Sequence, residues 1–131
     1  MSTVADAVPN VELLLFEIAD AVYGVDASQV RRIDRPGPNA IVRPELGTPH
    51  RTARALVFAT PEGEGELAVD GVRGVVNVSF EELRRLPPVS RGLSFAVGMW
   101  LGSDRPILLI DLPETARAAS AAKEHHVPDH S

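Results

Sequence analysis

The chain has 131 residues, 44% hydrophobic and 24% charged, with a net charge of −5 and no cysteine. That size and apolar content suit one compact globular domain rather than a disordered chain, and the missing thiols exclude disulfides, thiolate metal sites and cysteine nucleophiles. The acidic balance, with a single Trp and a single Tyr, argues against nucleic acid as a partner, and no apolar run approaches the roughly 18 residues of a membrane span.

Residues 1–10 carry no basic residue, so they do not read as a secretory signal. They read as a loose start, and cytoplasmic residence is the expectation. Val11 to Ile18 (VELLLFEI) has apolar residues on both faces, which predicts a central strand. Ala19 and Asp20 offer a tight turn into a second strand over Ala21 to Val25, making a hairpin. Asp26-Ala27-Ser28-Gln29 is a capping-box pattern. It predicts a short helix from Ala27 to Ile33, with Ala27, Val30 and Ile33 on one inward face and Pro36-Gly37-Pro38 as its stop. Ala40 to Val42 is a candidate short strand, and Arg43 to Arg54 reads as a loop.

Arg54 to Thr60 and Glu66 to Val69 read as paired strands around a turn at Pro61 to Gly65. Asp70-Gly71 breaks the second, and β character resumes over Val72 to Val78. Ser79 with Glu82 predicts a helical turn over Phe80 to Arg85, ended by Pro87 and Pro88. Leu93 to Leu101 and Pro106 to Ile110 predict a last hairpin. Asp111, Pro113 and Glu114 then open a helix through the alanine-rich stretch to Lys123, with 124–131 as a frayed tail. Short strands with turns every 8 to 12 residues indicate a mostly β fold, a small barrel or a curled sheet, with short helices.

The order of these pieces resembles the CheW-like adaptor family of bacterial chemotaxis. The resemblance rests on Tyr23-Gly24-Val25-Asp26, on Val69-Asp70-Gly71-Val72-Arg73-Gly74-Val75, on Glu81-Glu82-Leu83-Arg84-Arg85-Leu86-Pro87, and on Ile107 to Leu112. It covers Val11 to Ala116 and implies two small SH3-like β-barrel subdomains and a C-terminal helix, in a single domain over 11–123. It further implies a non-enzymatic adaptor in chemosensory two-component signalling. The implied partners are the regulatory domain of a CheA-type histidine kinase and, beyond it, a chemoreceptor tip or another CheW-like domain. One departure is large. Family members carry a strand-turn-strand with an N-L-R-G pattern where this chain has only Arg35 to His50, so the first barrel is expected to be shortened.

The partner-binding candidates are Arg32, Ile33, Asp70, Gly71, Val72 and Arg73. Three of them have a plainer reading: Asp70-Gly71 as a turn or bulge, and Arg32, with Arg31, as solvated surface. Tyr23 reads as packing with its hydroxyl at the rim. Trp100 suits either a core or an interface. Chemistry finds little support. His125, His126 and His130 lie on the frayed tail, where a rigid metal shell is not expected. His50 has no nucleophile motif beside it, Glu81 and Glu82 point apart, and no phosphate loop is present. No catalytic residue, metal or cofactor is assigned. The alternative is a small-ligand-binding or enzymatic β-barrel, which needs a pocket with convergent polar groups.

Overall fold

The computed structural model describes residues 10–86 and 95–117. Nine strands run in the order β1 (Asn10–Ile18), β2 (Ala21–Asp26), β3 (Arg32–Asp34), β4 (Arg54–Thr60), β5 (Gly63–Val69), β6 (Gly71–Ser79), β7 (Leu83–Arg85), β8 (Ala96–Trp100) and β9 (Ile107–Ile110). They form a six-stranded sheet in the order β6-β1-β2-β9-β8-β7 and a three-stranded sheet in the order β3-β4-β5. All neighbouring pairs are antiparallel except β2 with β9.

The unbroken apolar run of β1 has a direct cause. This strand is flanked by β2 and β6 and serves two cores. Leu13 and Leu15 join Val78, Ile107, Leu109 and Trp100 in a smaller cluster within the six-stranded sheet. Leu14, Phe16 and Ile18 join Leu56, Phe58, Leu67 and Val69 of the three-stranded sheet in a larger one. Successive strand side chains point to opposite faces, so a strand between two cores cannot alternate with polar residues. Phe16, Leu56, Phe58, Leu67 and Val69 are wholly buried, and each such side chain contributes about 1.5–3 kcal/mol.

The mostly β class with short helical turns stands. The two subdomains are curled sheets, and among the described residues neither closes into a hydrogen-bonded ring. The outer strands β6 and β7 of the larger sheet are separated in sequence by only the 3-10 turn Phe80–Glu82, so its two edges converge at that end. The smaller sheet stays at three strands because 35–53 supplies only a 3-10 turn, Pro44–Leu46, and one bridge from Ile41 to Leu67. This matches the shortened first subdomain expected from the sequence.

Two predicted helices are much shorter than expected. Only Ala27–Gln29 makes a 3-10 turn, and Arg32–Asp34 is extended and pairs with β4. Asp26 caps the turn by accepting from the Ser28 backbone N–H at 2.9 Å. The Arg31 N–H then donates to the Val57 carbonyl at 2.7 Å. Val30 and Ile33 are β-branched, and sheet pairing outweighs the cap signal. Ala27 and Val30 pack inward as expected, whereas Ile33 is 43% exposed. Likewise Phe80–Glu82 is one 3-10 turn, and Leu83–Arg85 pairs with β8. The turn at Pro61 is tighter than expected, since β5 starts at Gly63. At the other end, 112–117 is helical, with the Asp111 carboxylate accepting from the Glu114 N–H at 2.9 Å as the cap pattern predicts. The expected strand start at Leu93, the frayed tail 124–131 and the tail histidines lie outside the described residues.

Candidate partner-binding surface

The chain passes between the sheets twice, at Asp26–Gln29 and at Asp70. Asp70 sits at the corner where β5 leaves one sheet and β6 enters the other. Its carboxylate accepts backbone N–H groups from Ala19 at 2.7 Å, from Arg51, and from Thr52 at 3.3 Å, while its own N–H donates to the Glu17 carbonyl at 2.8 Å. Ala19 and Thr52 are the non-glycine residues with positive φ among the described residues, at 56° and 51°. A left-handed backbone costs a residue with a Cβ about 1–2 kcal/mol, and Asp70 holds both in place. The Arg51 amide, followed by those of His50, Ala19 and Thr52, lowers the carboxyl from 3.8 to about 2.

Two residues beyond this corner the ladder slips. Leu15 pairs with Gly74 and Phe16 with Val72, so Arg73 is the extra residue of a bulge and Gly74 carries a φ of 132°. A bulge re-aims the side chain it displaces. Arg73 projects into solvent, with its Nε on the Glu17 carboxylate. Val72 packs at the edge of the larger core. Beyond it Val75 is 53% exposed on the free edge of β6.

Arg32 and Ile33 lie on β3, the free edge of the other sheet. Arg32 holds Glu64 with two nitrogens at 2.9 Å each and Asp34 with its Nε at 3.3 Å, and Arg31 adds a contact to Glu64 at 3.2 Å. Arg32, then Arg31, lowers the Glu64 carboxyl, while Glu64, then Asp34, raises the Arg32 guanidinium. The Arg35 amide, then Arg32, lowers Asp34. The candidates therefore fall into two groups, one on each sheet, each at or beside an edge strand. No hydrogen bond, ion pair or strand pairing joins the two groups among the described residues.

Tyr23 is committed to packing. Its ring meets Phe16 at 5.9 Å, and its hydroxyl donates to the Leu46 carbonyl at 2.6 Å rather than standing free at the rim. Burial raises its ionisation above the ordinary value of 10.0. Trp100 is partly buried in the smaller core, and its Nε1 donates to Glu82 at 3.0 Å.

Three residues hold structure together through contacts the sequence did not reveal. Glu64, placed in the turn at the sequence level, is the hub of the Arg31–Arg32 network. Gln29 donates to Asp111 at 3.2 Å and accepts from the Leu112 N–H at 2.9 Å, fastening the helix at 112–117 to the first crossing. Arg43 is buried, with its guanidinium 5.4 Å from the Phe95 ring centroid and 3.0 Å from Glu45. An open cleft of about 980 Å³ lies beside Arg43, lined by Glu62, Glu64, Glu66 and Arg117 among others. Glu64 is taken by Arg31 and Arg32, and Glu66 accepts the Gly37 N–H at 2.8 Å. Among the described residues no group of three or more His, Asp or Glu is placed to hold a metal ion. No helix there is long and apolar enough to cross a membrane.

No family model matches the chain. The Frizzy aggregation protein FrzB of Myxococcus xanthus is 53% identical over 106 residues, spanning 81% of this chain and 95% of the relative. The scaffolding protein TtCheW from Thermoanaerobacter tengcongensis has the same fold, with a TM-score of 0.66 at 19% identity over 82% of this chain and 92% of that one.

Proposed function

This chain belongs to the CheW-like family of chemotaxis proteins, and from that premise we propose that it is a chemosensory adaptor that works by binding other signalling proteins. The match to FrzB along nearly the whole of that relative carries the reading. The adaptor role needs surfaces rather than a reaction centre. The chain presents two sheet edges, β3 and β6, each carrying an exposed apolar residue, Ile33 and Val75. An unpaired edge is a template for partner strands or loops.

The proposed partners are the regulatory domain of a CheA-type histidine kinase and a chemoreceptor tip, with another CheW-like domain as the third. Arg32 and Ile33 on one sheet, and Asp70, Gly71, Val72 and Arg73 on the other, are the proposed contact residues. In this reading Asp70 acts indirectly, by fixing the corner from which Val72 and Arg73 project. The proposed work is done in the cytoplasm, without a cofactor and without catalysis.

Fluorescent tagging in the native cell tests this. The tagged chain should form foci coincident with chemoreceptor clusters, and these should disperse when the receptors and the kinase are deleted. A diffuse signal in wild-type cells, or foci that persist without receptors and kinase, would contradict the adaptor role.

A further inference from the structure

The chain carries a net charge of −5, yet one end of the smaller sheet concentrates arginine. β3 and β4 pair with Asp34 opposite Ala55. Arg35 follows Asp34, and Arg54 precedes Ala55, so both lie at this end of the pair. On the other side of Arg54 stands Val69, followed by Asp70, whose carboxylate takes the Arg51 backbone N–H. Arg35, Arg54 and Arg51 are thus gathered in one strip at this end of the smaller sheet. All three are exposed.

None of the three makes an ion pair among the described residues. Arg54 reaches only the neighbouring Ala53 carbonyl, at 2.9 Å. The nearby carboxylates are occupied. Asp34 takes the Arg35 N–H and the Arg32 guanidinium, and Asp70 takes the backbone amides of Ala19, Arg51 and Thr52. Among the described residues the three guanidinium groups therefore stand without an ion pair of their own, whereas Arg31 and Arg32, at the other end of β3, are held by Glu64.

We propose that this strip, with the exposed Ile33 beside it, docks an acidic protein surface, one presenting clustered carboxylates around an apolar residue. A phosphate polymer fits less well. It needs a long basic track, whereas this strip is short and belongs to an acidic chain with few aromatics. The assignment rests on the adaptor reading for its biological partner, but the strip itself is testable alone.

The first probe is a hexaglutamate peptide, titrated into the full isotope-labelled protein and followed by NMR. Shifts that saturate together at Ile33, Arg35, Arg51 and Arg54, and vanish with added salt, support the strip. Shifts centred on Arg84, Arg85 or Arg105, or shifts spread over the surface, overturn it. So does tighter binding of a short polyuridine RNA at the same residues. The second probe is the variant Arg35→Glu/Arg54→Glu against the kinase regulatory domain and the receptor tip. Binding at low salt should fall by about tenfold or more, mostly through slower association. Unchanged binding by a folded variant overturns the strip as a docking surface. Wild-type protein that binds neither partner counts against the adaptor reading instead, and the peptide titration then decides the strip by itself.

Discussion

Replacing Phe58 by Ala should destabilise both sheets together, although Phe58 lies in the smaller one. The residue is fully buried and belongs to the cluster that also contains Leu14, Phe16, Ile18 and Ile110 of the larger sheet. Losing the ring forfeits about 2–3 kcal/mol of transfer free energy. A residual void on the order of 60–80 Å³, at about 24 cal/mol per Å³, adds about 1.5–2 kcal/mol. The sum, about 4 kcal/mol, is large against a domain stability of roughly 5–15 kcal/mol. At a urea slope of about 2 kcal/mol per M, the midpoint should fall by about 2 M. The single tryptophan, Trp100, reports on the other core. Its fluorescence and far-UV circular dichroism should therefore shift by the same amount in one transition. A Trp100 transition that stays at the wild-type midpoint while the dichroism shifts would refute the shared core and show two independently folding sheets.

Other consequences concern the corner, the hairpin and the helix. Because Asp70 has its carboxyl lowered from 3.8 to about 2 in the folded protein, its contribution is complete above pH about 4 and is lost as pH falls through about 2. Thermal melts should show wild type weakening over that window and Asp70→Asn, already weaker at neutral pH, changing less across it. Gly65→Ala should lose about 1–3 kcal/mol in urea unfolding, since a Cβ there would stand 2.8 Å from the buried Phe58 ring; a neutral result would show that the ring can yield. Gln29→Ala removes both hydrogen bonds to the start of the 112–117 helix. It should cost about 1–2 kcal/mol and speed amide exchange over 112–117 with little change in β1, whereas uniform acceleration would show that Gln29 supports the whole fold.

Much of the fold is legible because its cause is local. The apolar run of β1, the turn at Ala19-Asp20 and the break at Asp70-Gly71 are each written in adjacent residues, and the structure places a strand, a turn and a corner there. The failures share one cause. Asp26-x-x-Gln29 and Ser79-x-x-Glu82 are true turn starters, and both oxygens do cap. The residues just after each turn are claimed by distant strands, through Val57 in one case and Trp100 in the other, and no local pattern reveals that competition. The surface is less legible still. Glu64 reads as a turn residue until pairing brings Arg31 and Arg32 beside it. That Arg35 and Arg54 fall at the same end of the β3–β4 pair emerges only once its register, ending with Asp34 opposite Ala55, is known. The shortened segment after Asp34, by contrast, is visible as missing sequence and reappears as a sheet of three strands.

Titration calorimetry of the intact protein against the kinase regulatory domain and against the receptor tip, each alone, tests the adaptor role most directly. An adaptor should show saturable one-to-one binding to at least one of them, at micromolar affinity or tighter. Absence of binding to both at about 100 μM, equivalent to about −5.5 kcal/mol, would contradict that role.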